Sequence, residues 1–212
     1  MFEDRKNAGK LLGERLQHLS GTDVVVYALP RGGVSVGAEI ARAISAPLDI
    51  IVVRKIGHPN NPEYAIGALA ENGVLVKNEE EWSRLDQKML AGIIAREQKE
   101  IRRRRKIYTD NKRLSAKGKT AIIVDDGLAT GFTMKAAIES VRKEKPKQII
   151  VALPVAPAEV VEELRAFADD VVVLNADPNY LGAVGAYYHN FEQVSDGEVV
   201  ATLKKFSNAQ NV

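Results

Sequence analysis

The chain has 212 residues, of which 27% are charged and 45% hydrophobic, and its formal net charge is +2. This length supports one substantial core, so we expect a single domain over residues 1–212. The absence of cysteine excludes disulfides, thiolate metal sites and a cysteine nucleophile. The small net charge does not indicate a nucleic-acid or membrane partner. The charged start MFEDRKNAGK lacks the apolar core of a signal peptide, so we expect a cytoplasmic protein.

Helices and strands alternate in the first quarter of the chain. Apolar spacing predicts a helix over residues 5–20 and a strand over residues 24–29. A second helix follows the run Pro30-Arg31-Gly32-Gly33, and a second strand covers residues 48–53. Two successive β-α-β units indicate an α/β fold with a doubly wound, mainly parallel sheet.

The middle of the chain departs from this alternation. Residues 56–67 are rich in Gly, Pro and Asn without apolar periodicity, which predicts a mobile loop. Residues 68–77 favour a hairpin that turns around Asn72-Gly73. Residues 79–108 show a helical apolar face, which predicts one long helix inserted into the fold and ending in the basic run 102–106.

The alternation returns with a buried strand at residues 121–124. A helical pattern begins near Met134, and it is followed by a strand at 148–153, a helix at 158–168 and a strand at 171–174. A Gly- and Tyr-rich tail, residues 175–212, then closes the chain as a small C-terminal hood.

The richest chemistry lies in the run TAIIVDDGLATGFT, residues 120–133. Backbone N–H groups at a helix N-terminus, together with Thr hydroxyls, can bind a phosphate. Asp125 and Asp126, at the end of the strand, would repel that phosphate but can accept hydrogen bonds from sugar hydroxyls. A sugar phosphate with a neighbouring diol, such as a ribose 5-phosphate, suits both features.

The run VDDGLATGFT resembles the phosphoribosyl-diphosphate (PRPP) signature of type I phosphoribosyltransferases, and it is most similar to that of adenine phosphoribosyltransferases. The resemblance implies that Asp125 and Asp126 bind the ribose hydroxyls. It also implies that a loop holds the 5-phosphate, and that loop consists of Ala129, Thr130, Gly131, Phe132 and Thr133. Phe132 departs from the family, which often has Gly there. The alternative, a strand followed by an ordinary capped helix, explains fewer of these residues.

A second constellation is the run Pro30-Arg31-Gly32-Gly33 at the end of the first strand. Gly32 and Gly33 allow the backbone to approach a polyphosphate, and Arg31 offers a fork of donors. In the resembled family this loop takes the pyrophosphate and often contains a non-proline cis peptide, which would be Pro30-Arg31 here. An ordinary turn before a helix is the alternative.

The resemblance implies further roles around the mobile loop. Adenine-type enzymes carry Arg-Lys at the position of Arg54-Lys55, where Lys55 would neutralise the departing pyrophosphate. Residues 56–67 would close over the reacting ribose and exclude water. Glu63, the only acid of this loop, is the candidate general acid/base, and a solvated glutamate without a role is the alternative.

Two positions bear on the acceptor. The resembled 6-oxopurine enzymes place an Asp three positions after the second acid, where this chain has Ala129, which argues against hypoxanthine or guanine by that mechanism. The tail DPNYLGAVGAYYHNF is similar to the hood of those enzymes, and Tyr180 would stack on the base.

Together these features lead to the hypothesis of Mg²⁺-dependent transfer of ribose 5-phosphate from PRPP to a nitrogenous base, with release of pyrophosphate, as in nucleotide salvage. Mg²⁺ would be held mainly by PRPP oxygens and waters, without a dedicated protein metal site. The resemblance also implies a homodimer. The rival hypothesis is a catalytically silent regulator that senses PRPP and uses the arginine run to bind nucleic acid.

Overall fold

The computed structural model describes residues 1–109 and 113–209. Its centre is a parallel five-stranded sheet in the order β2-β1-β6-β7-β8. The strands are β1 (Val24–Ala28), β2 (Leu48–Ile50), β6 (Thr120–Val124), β7 (Gln148–Pro157) and β8 (Asp170–Asp177). The predicted doubly wound α/β fold is therefore confirmed.

Helices cover both faces of this sheet. They are needed because the strands carry apolar side chains on both faces, and both faces must therefore be buried. The helices are α1 (Arg5–Arg15), α2 (Gly32–Ala43), α5 (Phe132–Arg142), α6 (Ala158–Arg165) and α7 (Asp196–Ala209). In β1, Val24 and Val26 pack into the core beneath α1 and α2, whereas Val25 and Tyr27 pack into the core beneath α5. Two hydrophobic cores thus hold one sheet.

The mobile loop predicted over residues 56–67 is not an irregular segment, because most of it belongs to two β-strands. A second sheet of order β3-β4-β5 forms there from β3 (Val53–His58), β4 (Asn61–Ala70) and β5 (Leu75–Lys77). The tip of β4 is exposed, so antiparallel backbone pairing with β3, and not side-chain burial, orders this segment. Apolar periodicity does not reveal such a strand. The predicted hairpin at Asn72-Gly73 is present between β4 and β5.

The long helix predicted over residues 79–108 is two helices, α3 (Glu79–Ser83) and α4 (Gln87–Thr109). The break occurs because Asp86 accepts a hydrogen bond from the backbone N–H of Met89 at 2.8 Å, as an N-terminal cap does. The strand predicted over residues 48–53 also divides, since β2 ends at Ile50 and Val53 already belongs to the second sheet.

The C-terminal hood contains more regular structure than its composition suggests. After β8 the chain forms a short 3₁₀ helix, Val184–Tyr187, and then α7. Residues 210–212 of the predicted hood lie outside the described residues. None of the described helices combines the length and the hydropathy needed to cross a membrane.

Candidate active site

The candidate site lies where the order of the central sheet reverses. β1 and β6 are hydrogen-bonded neighbours with Ala28 level with Val124, yet the chain continues from them to opposite sides of the sheet. In open α/β sheets ligands bind in the crevice outside such a switch point. The Pro30-Arg31-Gly32-Gly33 loop leaves β1 there, and Asp125 and Asp126 leave β6 there. The peptide bond between Pro30 and Arg31 is cis.

The two predicted constellations are in direct contact. A Cβ atom added to Gly32 would lie 1.8 Å from Oδ2 of Asp126, and one added to Gly33 would lie 2.9 Å from Cα of Asp125. A side chain at position 33 would meet the backbone of β6 and the first acid, so the loop itself would have to move; a side chain at position 32 would displace the carboxylate of Asp126 or the loop. The glycines therefore bring the predicted pyrophosphate loop against the predicted ribose acids.

The two acids differ in their surroundings. Oδ1 of Asp125 accepts a hydrogen bond from the backbone N–H of Asp126 at 2.8 Å. Burial raises the pKa of Asp125 well above its usual range, and the nearby charge of Asp126 raises it further. Asp126 instead faces a cation, because Nε of Arg5 lies 2.6 Å from its Oδ2. The pair thus combines one acid whose charged form is disfavoured with one that has a counterion.

Both helices that begin at this crevice lack a capping side chain. α2 starts at Gly32 after Arg31, and α5 starts at Phe132 after Gly131, whose φ is +74°; neither Arg31 nor Gly131 caps with its side chain. By contrast, α1 is capped by Asp4 and α3 by Asn78. The first N–H groups of α2 and α5 are therefore available to an anion. Phosphate-binding roles for Thr130 (exposed) and Thr133 (half-buried) stay predictions.

Arg31 contacts a carboxylate that the sequence analysis did not identify. Its Nη1 lies 3.6 Å from Oδ1 of Asp196, the first residue of α7. Arg103 of α4 approaches the other oxygen of Asp196 at 3.9 Å, and the hydroxyl of Tyr108 donates to Oδ1 at 2.6 Å. The guanidinium of Arg31, which the sequence analysis assigns to pyrophosphate, is thus paired with Asp196.

Lys55 and Glu63 lie together but apart from the acid pair. Nζ of Lys55 is 3.2 Å from Oε2 of Glu63, whose side chain is 94% exposed. Both line a cavity of about 550 Å³ between the β3–β4 hairpin and α4, and neither Asp125 nor Asp126 lines it. Their catalytic roles remain predictions, because the cavity that they line is not lined by the acid pair.

Ala129 and Tyr180 meet at a second cavity, of about 780 Å³. Its wall also includes Pro157 at the start of α6 and Asp177 at the end of β8. The ring of Tyr180 stacks on Tyr187 with centroids 5.4 Å apart, and the hydroxyl of Tyr187 donates to Asp177. This cavity adjoins the phosphate loop through Ala129, so it offers space for an acceptor next to the ribose site.

Two residues of the site, Arg5 and Asp196, were not identified from the sequence, and Tyr188 was expected only in the hood behind Tyr180 and not at the acid pair. Tyr188 donates its hydroxyl to the backbone carbonyl of Asp126 at 2.6 Å, and burial raises its pKa. Arg5 lies far from the signature in sequence and no local pattern marks it, and the hood pattern that includes Tyr188 does not indicate a contact with Asp126. The sequence does contain a pattern that locates Asp196: the Ser-x-x-Glu spacing of Ser195 and Glu198 predicts a helix start, and these two residues form the reciprocal capping pair that begins α7.

Few protein side chains at the site could act as ligands to Mg²⁺. Within residues 1–109 and 113–209, no group of three or more His, Cys, Asp or Glu side chains is arranged to hold a metal ion. Asp125 and Asp126 supply two carboxylates, one of which is engaged by Arg5. Such a site suits a cation that keeps most of its waters and takes oxygens from its substrate, as Mg²⁺ does.

Most of the chain is similar to one family of known proteins. A family profile described as "Phosphoribosyl transferase domain" matches residues 3–189. Two Mycobacterium tuberculosis proteins, from strains CDC 1551 and H37Rv, are 43% identical over 208 residues, and their names assign them provisionally to the phosphoribosyl transferases. The match covers 97% of this chain but only 47% of theirs, so the chain spans about half the length of these curated relatives.

Solved structures agree with the fold. The crystal structure of TT1426 from Thermus thermophilus is 43% identical, with a TM-score of 0.82 and coverage of 97% of this chain and 99% of that one. The AQ2163 protein from Aquifex aeolicus shares only the fold, at 14% identity and a TM-score of 0.51 over 82% of this chain and 74% of that one. With a family profile over most of its length, the chain belongs to the phosphoribosyl transferase family.

Proposed function

We propose that this chain transfers ribose 5-phosphate from PRPP to a nitrogenous base and releases pyrophosphate, with Mg²⁺ bound to PRPP. The observation that carries the proposal is the pair of uncapped helix N-termini, α2 and α5, on either side of two carboxylates at the switch point. One N-terminus suits the pyrophosphate, the other suits the 5-phosphate, and the acids between them suit the ribose diol.

In this proposal the residues act mainly by position and charge. The N–H groups at the start of α5 and the hydroxyls of Thr130 and Thr133 bind the 5-phosphate, while Asp125 and Asp126 accept hydrogen bonds from the ribose hydroxyls. Gly32, Gly33 and Arg31 bind the pyrophosphate, whose charge increases as its bond to the ribose breaks. Bound Mg²⁺ would neutralise part of that charge. Movement of the β3–β4 hairpin over the crevice would bring Lys55 to the leaving group and Glu63 to the acceptor.

The acceptor site is proposed to be the cavity lined by Ala129, Asp177 and Tyr180. Tyr180 presents an aromatic ring already oriented by Tyr187, which suits stacking on a planar base. The carboxylate of Asp177 can accept a hydrogen bond from a base N–H. Because Ala129 carries no acid, the proposal favours a base that needs no carboxylate beside the phosphate loop.

The direct test is a panel of purine and pyrimidine bases incubated with the chain, PRPP and Mg²⁺, with pyrophosphate release as the measurement. Release that depends on one class of base supports transfer and identifies that class. PRPP binding without release for any base would favour the silent regulator. In that rival the basic run would bind nucleic acid, but Arg103 and Arg104 pair with Glu100, and Arg105 is buried against Asp49.

The site assignment has its own test. The variant Asp125→Asn with Asp126→Asn should lose PRPP binding by at least tenfold in calorimetry, because amides are weaker acceptors for the ribose hydroxyls. Asp23→Asn, an exposed acid ahead of β1 at the opposite edge of the sheet, is the control and should bind normally. Unchanged PRPP affinity in the double variant would contradict the assignment.

A further inference from the structure

Arg5 occupies an unusual position for a cation. It is the first residue of α1, where the helix dipole disfavours positive charge, and that first turn contains no acid. The side chain is nevertheless well buried, at 12% exposure, and so is its partner Asp126, at 16%. The pair is also short, with 2.6 Å between Nε and Oδ2. The position of Arg5 is therefore explained by the carboxylate that it meets and not by the helix that carries it.

The guanidinium is fixed from three sides. Nε donates to Asp126, and Nη1 donates to the backbone carbonyl of Glu192 at 2.8 Å. Its central carbon lies 3.7 Å from the centroid of the Phe191 ring, which is a cation–π contact. The orientation of Arg5 is thus set by the hood, and Arg5 in turn sets the orientation of Asp126.

The N-terminal segment and the hood form one unit over the acid pair. Phe2 bridges to Tyr188, with its N–H donating to the carbonyl of Tyr187 at 2.8 Å, and the N–H of His189 donates back to Phe2 at 2.8 Å. Tyr188 packs between Phe2 and Phe191. Two groups of this unit reach the signature: the guanidinium of Arg5 at the carboxylate of Asp126, and the hydroxyl of Tyr188 at its backbone carbonyl.

These contacts give the two oxygens of the Asp126 carboxylate different surroundings. Arg5 and the close-packed Gly32 both lie against Oδ2 of Asp126. In the described part of the chain no cation and no backbone N–H donates to Oδ1, and the side chain of Asp125 lies within hydrogen-bonding reach of this carboxylate, so Oδ1 is the oxygen without a counterion and the one that a ligand hydroxyl can approach. A carboxylate free to rotate would instead exchange its two oxygens between these surroundings.

We propose that Arg5 is a positioning residue for PRPP: it holds Oδ2 of Asp126 so that Oδ1 faces the ribose diol, and it couples that carboxylate to the acceptor hood through Phe191. The inference rests on the proposed function, since it assigns the ribose to the acid pair. Arg5 thereby joins the PRPP site although it lies outside the signature. Its contact with Phe191 gives the hood a physical route to influence PRPP binding.

The test compares Arg5→Gln, Arg5→Lys and the control Arg15→Gln, an exposed arginine at the other end of α1. Calorimetry measures the affinity of each for PRPP, ribose 5-phosphate and pyrophosphate in the presence of Mg²⁺. Arg5→Gln should weaken PRPP and ribose 5-phosphate at least tenfold and leave pyrophosphate within about threefold. Arg5→Lys should recover most of the loss, and Arg15→Gln should match the unaltered chain.

Three outcomes would overturn the inference. Equal loss for all three ligands in Arg5→Gln indicates a general structural role, which a lowered midpoint of thermal unfolding would accompany. Unchanged ribose 5-phosphate affinity removes the positioning role while the proposed function stands. If the unaltered chain binds no PRPP, the proposed function and this inference fail together.

The coupling to the hood has a separate measurement. Phe191→Leu removes the cation–π contact while keeping an apolar side chain, and it should weaken PRPP by about two- to fivefold. In the double variant with Arg5→Gln, the two losses should combine to less than their product, because both act through one guanidinium. Losses that multiply in full would overturn the link between the hood and Asp126.

Discussion

At the residue scale, the buried acid Asp125 at the end of β6 makes the folding stability depend on pH. Asp125 directly follows β6 and lies against Gly33, and burial together with the charge of Asp126 raises its pKa. Below its ordinary pKa Asp125 is neutral in both the folded and the unfolded chain. As the pH rises toward its folded pKa, the unfolded chain loses the proton first, so folding stability falls.

The first prediction concerns Asp125→Asn. The amide keeps the hydrogen bond from the N–H of Asp126 and removes the buried charge, so the variant should be more stable by about 1 kcal/mol at pH 8. Its advantage should shrink as the pH approaches 4, because both proteins are then uncharged at this position. Urea unfolding at pH 5 and pH 8 measures the difference. An equal gain at both pH values would exclude titration of Asp125 as the cause, and a loss at pH 8 would contradict the prediction.

The sequence predicts the role of Asp125 and Asp126, but it does not predict the burial of the first or the counterion of the second. Strand, acids and small-residue loop are adjacent in the chain, so their chemistry can be inferred from one run of letters. The counterion of Asp126 comes from residue 5, and the aromatic ring that orients this counterion comes from residue 191. Contacts of such separation leave no local pattern, and the exposed surface of α1 contains similar cations that make no such contact.

At the element scale, α7 places a carboxylate at the pyrophosphate loop. Ser195 and Glu198 start this helix with a reciprocal capping pair, and its first residue is Asp196. Arg31 of the loop and Arg103 of α4 both face Asp196. Because the hydroxyl of Tyr108 holds Asp196 in place, an incoming pyrophosphate must compete with a fixed carboxylate for Arg31.

Asp196→Asn should therefore strengthen pyrophosphate binding. The amide oxygen can still accept from Tyr108, but the variant no longer offers Arg31 a negative charge. Arg31 and Asp196 are about a third exposed, at 30% and 36%, so the expected gain is only about two- to fivefold. Pyrophosphate affinity measured by calorimetry at low salt checks this.

Glu198→Gln is the matched control for that variant, since it removes the same charge from the same helix turn and preserves the capping pair. It should leave pyrophosphate affinity unchanged. An equal gain in both variants would mean that net charge, and not the contact with Arg31, is responsible. Weaker binding in Asp196→Asn would show that Asp196 positions Arg31 instead of competing for it.

At the scale of the whole molecule, the inserted α4 is joined to the central sheet by buried charges. Arg105 lies at 10% exposure with Nη2 3.4 Å from Oδ2 of Asp49, and it donates to the carbonyl of Ile50 at 2.9 Å. The same region includes Glu71 of the β4–β5 turn, Arg113 and Glu144, with Arg113 bonded to both acids. One network therefore connects α4, the second sheet and the central sheet.

The sequence predicted the central sheet well and the additions less well. Hydrophobic strands buried on two faces are recognisable from composition, which is why β1, β6 and β7 were found. The β3–β4 hairpin depends on backbone pairing and shows no such pattern, so it was mistaken for a loop. The basic run 102–106 illustrates the same limit: nothing in the run itself distinguishes Arg105 from its neighbours, yet long-range partners bury it against Asp49.

This burial leads to the last prediction. Arg105→Met keeps much of the side-chain length but leaves the carboxylate of Asp49, 5% exposed, without its cation, so it should destabilise the fold by about 3 kcal/mol in urea unfolding. Arg102→Met, on the same helix but exposed, should change stability by less than about 0.5 kcal/mol. Adding Asp49→Asn to Arg105→Met should recover part of the loss, because no unpaired charge then remains buried. If Arg105→Met were as stable as Arg102→Met, the charge network would not be what joins α4 to the sheet.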